Sequence, residues 1–431
     1  MVLSRPAKFF TVLFPALFMA ELFLGFNGAQ LVLFGLSIRK LLFVLAAATL
    51  FLAAAAQVKK RGLHGFVRRI DLLPLCFLAL NLLWMTAVPL AAGTSLRAAF
   101  DDAGCLFMLA LYFPVSMLVR AGVYRMQGIE QLVLGLSTAL AVEHLVFYVC
   151  GRIDMSFGIK FFEFLHRLSG GTSVIQQVIL GENYVRVIFP TTVLLLPGLY
   201  VLLRRWRRLT PWDGVCAALL LTAVFTTMTR SLWIGVAVSF VLFAVLYGAL
   251  CVKNRRRFLR VMLAGLAVLA VAVTALNFLV FDGNLFGRLT GNENPQIPGQ
   301  STQRPEEENA RQVQTQALLE KFSHRPVLGY GYGSYAQDCI RSEAQPYSYE
   351  MFLPALLMKT GVLGTAVWAA TAGLFLWLSF RKNRQGFPAV CFLSLSFFLM
   401  FQTNPFLFNF CGMGLLCFLF LTWNGQEPDG R

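Results

Sequence analysis

Apolar runs of about 20 residues, separated by short polar clusters, recur along the whole chain of 431 residues. A helix needs about that length to cross a hydrocarbon core, and a window of about 19 residues predicts twelve spans. These predicted spans lie near residues 9–26, 36–57, 72–91, 103–119, 129–149, 187–203, 214–229, 232–252, 261–281, 355–380, 388–403 and 406–423. The pattern predicts an all-α polytopic membrane protein, in which the first apolar run is expected to be an uncleaved helix.

Composition and charge exclude several other classes. The residues AVILMFWYC make up 57% of the chain and charged residues only 13%, which is too apolar for a water-soluble surface. The net charge of +16 comes from short clusters of Lys and Arg between apolar runs rather than from one basic face, so we expect no nucleic-acid partner. The nine cysteines show neither CxxC nor metal-ligand spacing, so no disulfide framework is indicated.

The distribution of charge predicts the topology. With the N-terminus in the cytoplasm, 22 of the 37 Lys and Arg residues fall on the cytoplasmic side, and about 16 of the 21 acidic residues fall outside. Both termini are then cytoplasmic, and the protein lies in the cytoplasmic (inner) membrane of its cell. Residues 1–281 carry spans 1–9 with an outer loop near 151–186, residues 282–350 form a large outer loop, and residues 351–431 carry spans 10–12.

The large outer loop is predicted to contain a helix. Pro305 followed by three glutamates is a helix start, because Pro suits the first turn and acidic groups favour the positive end of the helix dipole. We expect a helix over about 305–323. On it Arg311 shares a face with Leu318 and Phe322, so its side chain should point toward whatever those apolar groups cover.

Three arginines from separate outer segments are candidate anion ligands. Arg230 stands between two apolar runs, Arg186 lies at the outer mouth of the sixth span, and Arg311 lies on the loop helix. A planar guanidinium stays charged and matches phosphate oxygens in a bidentate way, so together the three suggest a diphosphate site. Each alone could equally be an interfacial arginine whose charge reaches the membrane surface.

Glu350 is the candidate general base, at the point where the outer loop re-enters the membrane. Its carboxylate could take a proton from an acceptor hydroxyl, or it could simply cap the entering helix. His324 is the rival for the base, although its position before Pro326 also suits the end of the loop helix.

A glycine-rich segment with many tyrosines follows the loop helix. GYGYGSY (329–335) matches neither GxGxxG nor GxxxxGK[ST], so its glycines are expected to form tight turns that bring the backbone close to a neighbour. The tyrosine rings are suited to stacking on sugars, although interfacial packing is an equal alternative. These candidate glycan ligands are Tyr330, Tyr332, Tyr335, Tyr347 and Tyr349.

Three ionisable residues lie within or near the ends of spans, where such groups are functional candidates by default. Glu21, Glu143 and His144 could belong to a proton relay. Two positions in twelve spans give this little support, and we favour a structural role for them.

The order of these motifs resembles a known family. TMTRSLWIG and its apolar helix are followed by ARQVQTQALLEKFSHRPVLGYGYGSY, then by YSYEMFLPALLMKTGVLG, and later by the NP of FQTNPFLFNF. This arrangement is similar to the bacterial O-antigen ligase and polysaccharide polymerase superfamily over residues 220–380. Arg230 and Arg311 match family arginines, Arg186 matches a third less closely, and Glu350 stands where the ligases have a histidine.

The resemblance implies an activity and its partners. It implies a GT-C-like fold and inverting, metal-independent glycosyl transfer at the outer face of the membrane. The implied donor is an undecaprenyl-diphosphate-linked glycan, and the implied acceptor is a hydroxyl of a surface glycan or lipid. No cofactor is expected, because the outer side lacks metal-ligand spacing and fixed cations can stabilise the leaving diphosphate. A polymerase that extends a second lipid-linked glycan stays open as the alternative. A flippase or exporter of lipid-linked glycan is the alternative of another class, disfavoured by the one-sided loop and the lack of evident inverted repeats or paired broken helices.

Overall fold

The structure is a computed structural model that describes residues 5–24, 32–33, 36–62, 66–153, 178–181, 184–187, 189–252, 303–340 and 345–425, with the single positions 160, 256, 274, 277, 278 and 343. Fourteen α-helices are described within these ranges. They are α1 Arg5–Leu24, α2 Ile38–Arg61, α3 Leu72–Met85, α4 Ala87–Ala92, α5 Leu96–Ala103, α6 Tyr112–Arg120, α7 Met126–Ile153, α8 Leu195–Arg204, α9 Pro211–Thr226, α10 Arg230–Cys251, α11 Gln303–His324, α12 Phe352–Lys382, α13 Phe387–Phe401 and α14 Phe410–Leu421.

Short 3₁₀ segments extend several of these helices. They are Arg69–Asp71, Gly104–Leu111, Pro190–Leu194, Trp206–Arg208, Gln337–Cys339 and Thr422–Gly425. Two short antiparallel hairpins complete the described structure, pairing β1 Val32–Leu33 with β2 Leu36–Ser37 and β3 Val178–Gly181 with β4 Tyr184–Val187. The fold is therefore helical, as the hydropathy pattern predicts, with small hairpins at two connections.

The apolar helices fall where the sequence places eleven of the twelve spans. Six helical segments are long and apolar enough to cross a membrane: Ile38–Lys60, Arg69–Ala92, Leu96–Arg120, Met126–Gly151, Arg230–Cys251 and Phe352–Lys382. Five apolar helices are shorter: Phe9–Leu24, Pro190–Arg204, Pro211–Thr226, Phe387–Phe401 and Phe410–Asn424. Of the predicted span 261–281, only positions 274, 277 and 278 are described. The chain is thus a multi-pass membrane protein, whereas the number twelve and the sidedness of the ends stay predictions.

Packing of these helices brings the ends of distant segments together. α10 packs along α13, and α12 packs against both α3 and α11. α11 carries few apolar residues, but Leu318 on its inner face is fully buried beside Met358 of α12. The predicted helix over 305–323 is confirmed by α11, which ends at His324. The inner face of α11 anchors the segment before α12 on that helix.

Candidate active site

Arg230 is the first residue of α10 and follows a strained turn. Met228 has φ of 52°, which lies in the left-handed region. This conformation costs an L-residue on the order of 1 kcal/mol, and residues strained in this way cluster at functional sites. The turn is held by the Trp233 ring nitrogen, which donates to the Val224 carbonyl at 2.9 Å. Arg230 itself is exposed. The turn therefore fixes the backbone of Arg230, whereas its side chain stays exposed to solvent.

The segment that contains the NP motif connects the starts of α10 and α12. Asn404 donates from Nδ2 to the Oγ of Ser231 at 2.8 Å, one residue after Arg230. Two residues before Asn404, the Gln402 carbonyl accepts from the amide of Phe352 at 3.2 Å. Arg230 and the beginning of α12 therefore border the same segment of chain.

Glu350 is held by two residues of α11. Arg311 donates from Nε to its Oε2 at 3.0 Å, and the two side chains are 45% and 25% exposed. One turn further along the helix, the buried Gln314 accepts the amides of Glu350 and Met351 through its Oε1, each at 3.1 Å. The side chain and the backbone of Glu350 are thus both fixed to the loop helix, in a position that solvent still reaches.

The glycine-rich segment docks on a break in α12. Gly361 leaves the helical conformation, with φ of 65°, and frees backbone groups on either side of it. The amides of Tyr330 and Gly331 donate to the carbonyls of Met358 and Lys359 at 3.1 and 2.7 Å. Beyond the break, the amides of Val362 and Leu363 donate to the carbonyls of Pro326 and Val327 at 2.8 and 3.1 Å. Within a membrane span such groups must be satisfied by protein, and the loop supplies the partners.

Glycine is required at the closest contacts of this segment. Gly329, Gly331 and Gly333 all have positive φ, between 68° and 83°. A Cβ at Gly329 would lie 2.6 Å from the carbonyl carbon of Lys359, and one at Gly331 would lie 2.4 Å from the ring of Pro89. The prediction that these glycines form tight turns against a neighbouring backbone is confirmed.

A polar cavity of about 100 Å³ is lined by residues on both sides of Glu350 in the sequence, whereas Glu350 itself is not one of the lining residues. Its lining comes from the end of α5, the approach to α12, α12 itself and the NP segment: Asp101, Asp102, Gln345, Tyr347, Ser348, Tyr349, Phe352, Ala355, Lys359, Pro405, Leu407 and Phe408. Carboxylates beside aromatic rings are a composition that can bind sugar hydroxyls and faces.

A buried ion pair forms the floor of this cavity. The Lys359 Nζ lies 2.6 Å from the Asp102 Oδ2, with both side chains 5% exposed or less. Lys359 also donates to the Tyr347 carbonyl at 2.8 Å, and Asp102 accepts the amide of Gly333 at 2.8 Å. The pair therefore joins α5, α12 and the glycine-rich segment around the cavity.

The five candidate tyrosines differ in position. Tyr347 and Tyr349 line the cavity, and the Tyr349 hydroxyl accepts the Ala336 amide at 2.7 Å. Partial burial raises the pKa of the Tyr347 hydroxyl above its usual range, so this group is protonated at neutral pH. Tyr330 and Tyr335 are half-buried next to the Lys321 ammonium, which lies 4.9 and 5.9 Å from their ring centres. Tyr332 is fully buried, and its hydroxyl donates to the Asn81 Oδ1 at 2.6 Å, which packs the loop on α3 instead of presenting a ring to a ligand.

Arg186 and His324 complete the sequence candidates. Arg186 lies on β4 opposite Ile179, and its side chain is outside the described structure. Its convergence with Arg230 and Arg311 stays a prediction. His324 ends α11 as expected, with its ring Nδ1 3.0 Å from the Glu320 carbonyl, and it does not line the cavity.

Two of the three ionisable candidates within spans, Glu21 and His144, have structural partners, whereas the buried Oε2 of Glu143 has no hydrogen-bond partner among the described residues. Glu21 pairs with the buried Arg39 at 2.7 Å, joining α1 to α2. The buried ring of His144 lies 2.9 Å from both the Leu140 carbonyl and the Thr192 hydroxyl. These contacts favour the structural interpretation of both residues. In the part of the chain that the structure describes, no three His, Cys, Asp or Glu side chains group as metal ligands would.

Sequence reasoning missed Lys359 and Asp102. A signal was present for both, because an ionisable residue inside a predicted span, such as Lys359, or directly before one, such as Asp102, is a functional candidate by default. The roles of Ser231 and Asn404 in joining two helix starts had no local signal, because they depend on how α10 meets the NP segment.

Comparison with known protein families gives a match over part of the chain. Residues 215–369 match the family model described as O-antigen ligase, a range that contains Arg230, Arg311 and Glu350. No curated protein matches the chain significantly. The resemblance to the O-antigen ligase superfamily that the motifs indicate is thereby confirmed, and the match supports glycosyl transfer of the ligase or polymerase type.

Proposed function

We propose that the protein transfers a glycan from an undecaprenyl-diphosphate carrier to an acceptor hydroxyl at the outer face of the cytoplasmic membrane, as a ligase, with inversion and without a metal. The observation that carries this proposal is the Arg311–Glu350 contact of 3.0 Å near the polar cavity. It joins a permanent cation to a carboxylate that can accept a proton, and these are the two groups that the reaction needs.

Glu350 is the proposed catalytic base. Its carboxylate takes the proton of the acceptor hydroxyl, the hydroxyl oxygen forms a bond to the anomeric carbon, and the bond from that carbon to the diphosphate oxygen breaks. The leaving diphosphate keeps the electron pair. Because the attack comes from the face opposite the leaving group, the configuration at the anomeric carbon inverts. The Arg311 contact orients the carboxylate by donating a hydrogen bond to its Oε2.

The arginines are the proposed diphosphate ligands. The structure gives the Nε–H of Arg311 to Glu350, and the side chain is 45% exposed, so its other N–H donors remain for phosphate oxygens. Arg230 is exposed next to the segment that also borders α12. Arg186 is the third proposed ligand. Cations placed where negative charge develops on the leaving group stabilise the transition state most.

The cavity is the proposed site for part of the glycan. Tyr347 and Tyr349 offer rings, and Asp101, whose side chain is 59% exposed, offers an acceptor for sugar hydroxyls. Tyr330 and Tyr335 are proposed to contact sugar residues further out. Tyr332 is proposed to act through packing, since its ring is fully buried.

One experiment separates the alternatives. The full-length protein is reconstituted in liposomes with a synthetic undecaprenyl-diphosphate oligosaccharide, an acceptor glycan and a chelator. We expect release of the lipid diphosphate and transfer of the sugar to the acceptor. A longer lipid-linked glycan would indicate a polymerase. Movement of the intact lipid-linked glycan across the bilayer without release of diphosphate would reject transfer in favour of a carrier.

A further inference from the structure

A second cavity of about 500 Å³ lies at the opposite end of α10 from Arg230. It is bordered by the start of α7, the end of α8, the turn Trp206–Arg208, the end of α10 and the connection before α13. α10 has 22 residues, so at about 1.5 Å per residue the two ends are on the order of 30 Å apart. This cavity is therefore separate from the candidate active site.

The lining of this cavity carries a concentrated positive charge. Four arginines contribute to it, namely Arg204, Arg205, Arg207 and Arg208. The one carboxylate among the lining residues, Glu130, is 3% exposed, pairs with Arg204 and lies 3.9 Å from Arg205. The lining thus has a net charge of +3, and most of the unneutralised charge belongs to Arg207 and Arg208.

Arg207 is held in place before any ligand binds. Its Nη2 donates to the Cys251 carbonyl at 2.8 Å, and its guanidinium carbon lies 5.3 Å from the centre of the Tyr247 ring. That ring packs edge-on against Trp206 at 5.2 Å. A planar guanidinium fixed in this way loses little freedom when it binds a phosphate with its remaining N–H groups.

Neutralisation of the negative C-terminal end of α10 explains only part of the placement of Arg207 and Arg208. The Cys251 carbonyl belongs to the C-terminal end of α10, where a cation is favourable. That contact uses one of the five N–H groups of Arg207. Arg208 makes no side-chain hydrogen bond or ion pair to any residue that the structure describes. An anion in the cavity would complete the coordination of both side chains.

The surroundings indicate that the anion belongs to a lipid. Leu209 and Trp212 follow the arginines directly and are 48% and 67% exposed, and Leu250 at the end of α10 is 36% exposed. In a membrane protein such exposed apolar groups face lipid tails, so the arginines lie near headgroup depth. The charge distribution assigns this end of the molecule to the cytoplasmic leaflet, where anionic lipids attract basic pockets between helices.

We propose that this cavity binds the phosphate groups of an anionic phospholipid of the cytoplasmic leaflet, with Arg207 and Arg208 as the principal ligands. A lipid with two phosphates, such as cardiolipin, matches the net charge best. This site is independent of the proposed glycosyl transfer, because it lies at the other end of α10 and uses other residues.

The test measures lipid-dependent thermal stability. The full-length protein in neutral detergent is titrated with cardiolipin, phosphatidylglycerol, phosphatidylcholine or inorganic diphosphate, and Tm is followed by tryptophan fluorescence. We expect cardiolipin to raise Tm saturably and phosphatidylcholine to leave it unchanged. In the double variant R207Q/R208Q the half-saturating cardiolipin concentration should rise about tenfold or more, because charge-assisted hydrogen bonds are lost.

The matched control is Arg381→Gln. Arg381 is an exposed arginine near the same end of the molecule, stacked on Trp377 at 5.0 Å, and it does not line the cavity. Its titration should match that of the unmodified protein. If the double variant does not fold, Arg208→Gln alone applies the same test, since that side chain has no described partner to lose. An unchanged titration in the variant, or an equal Tm shift with inorganic diphosphate, would overturn the lipid site.

Discussion

The Nε of Arg311 lies 3.0 Å from the Oε2 of Glu350, across 39 positions of sequence. The two residues belong to different elements, α11 and the approach to α12, and both remain partly exposed. An ion pair with this exposure contributes at most about 1 kcal/mol to stability. Because this contribution is small, we interpret the position of the pair near the polar cavity as a feature of the proposed reaction and not of folding.

The first prediction concerns the two described arginines of the proposed diphosphate site. Arg230→Ala and Arg311→Ala should each abolish glycan transfer while leaving membrane insertion intact, because each removes a cation that stabilises the leaving diphosphate. The Arg→Lys variants should recover activity only in part, since an ammonium lacks the bidentate fork. Release of lipid diphosphate in reconstituted vesicles is the measurement.

Lys40→Ala is the control for this pair. It removes an exposed positive charge from the beginning of α2, on the same predicted side of the membrane. Transfer should continue at the original rate in this variant. Full activity in either Arg→Ala variant would reject the proposed clamp.

The second prediction concerns the base. Glu350→Gln keeps the size of the side chain and removes its capacity to accept a proton, so kcat should fall about 10²-fold or more. His324→Ala should change kcat little, since the His324 ring lies at the exposed end of α11, 3.0 Å from the Glu320 carbonyl of its own helix. Single-turnover transfer with a saturating acceptor measures both variants. An unchanged rate in Glu350→Gln would leave His324, or no side chain, in the role of base.

The third prediction concerns the break in α12. Gly361→Ala places a Cβ 2.3 Å from the Val327 carbonyl oxygen at a φ of 65°, and it should destabilise the protein by on the order of 3 kcal/mol. Gly373→Ala is the matched control on the same helix, because a Cβ there meets no atom within 4 Å. That change should be neutral or stabilising by up to about 1 kcal/mol. Gly361→Ala should lower Tm and increase protease cleavage within 325–335, whereas Gly373→Ala should do neither. Equal Tm values for the two variants would contradict the proposed role of the break.

The fourth prediction concerns the buried pair under the cavity. Lys359→Met leaves the Asp102 carboxylate buried without its cation and should cost about 3–5 kcal/mol, seen as a lower Tm. The double variant D102N/K359M should recover most of that loss, because an amide still accepts from the Gly333 amide and no lone charge remains. If Lys359→Met were as stable as the unmodified protein, the pair would have no structural role.

The sequence was sufficient to predict the helices, because period and spacing are local properties, and it also supplied candidate site residues. Apolar runs of spanning length predict helices, and Pro305 with its glutamates predicts the start of α11. What local patterns could not show is how distant segments meet. Arg311 and Glu350 were each predicted as site residues, but their contact depends on Gln314 holding the entry to α12.

For the glycine-rich segment, too, the sequence predicts the local conformation but not the partner. Its tight turns were predictable from the residue type, whereas its partner, the break at Gly361, was not. That break also removes part of the argument against a carrier, which noted the lack of evident paired broken helices. The predicted one-sided loop, the lack of evident repeats and the family match still disfavour a carrier.

The four hydrogen bonds across the break at Gly361 make the glycine-rich segment and α12 a single structural unit. A chimaera that imports the loop from a related protein, but keeps the host's own α12, would leave carbonyls and amides at membrane depth without partners. Residues 325–363 must therefore be exchanged together in a chimaera between relatives. By the same reasoning, substitutions in 326–331 and in 358–363 should change in concert during evolution.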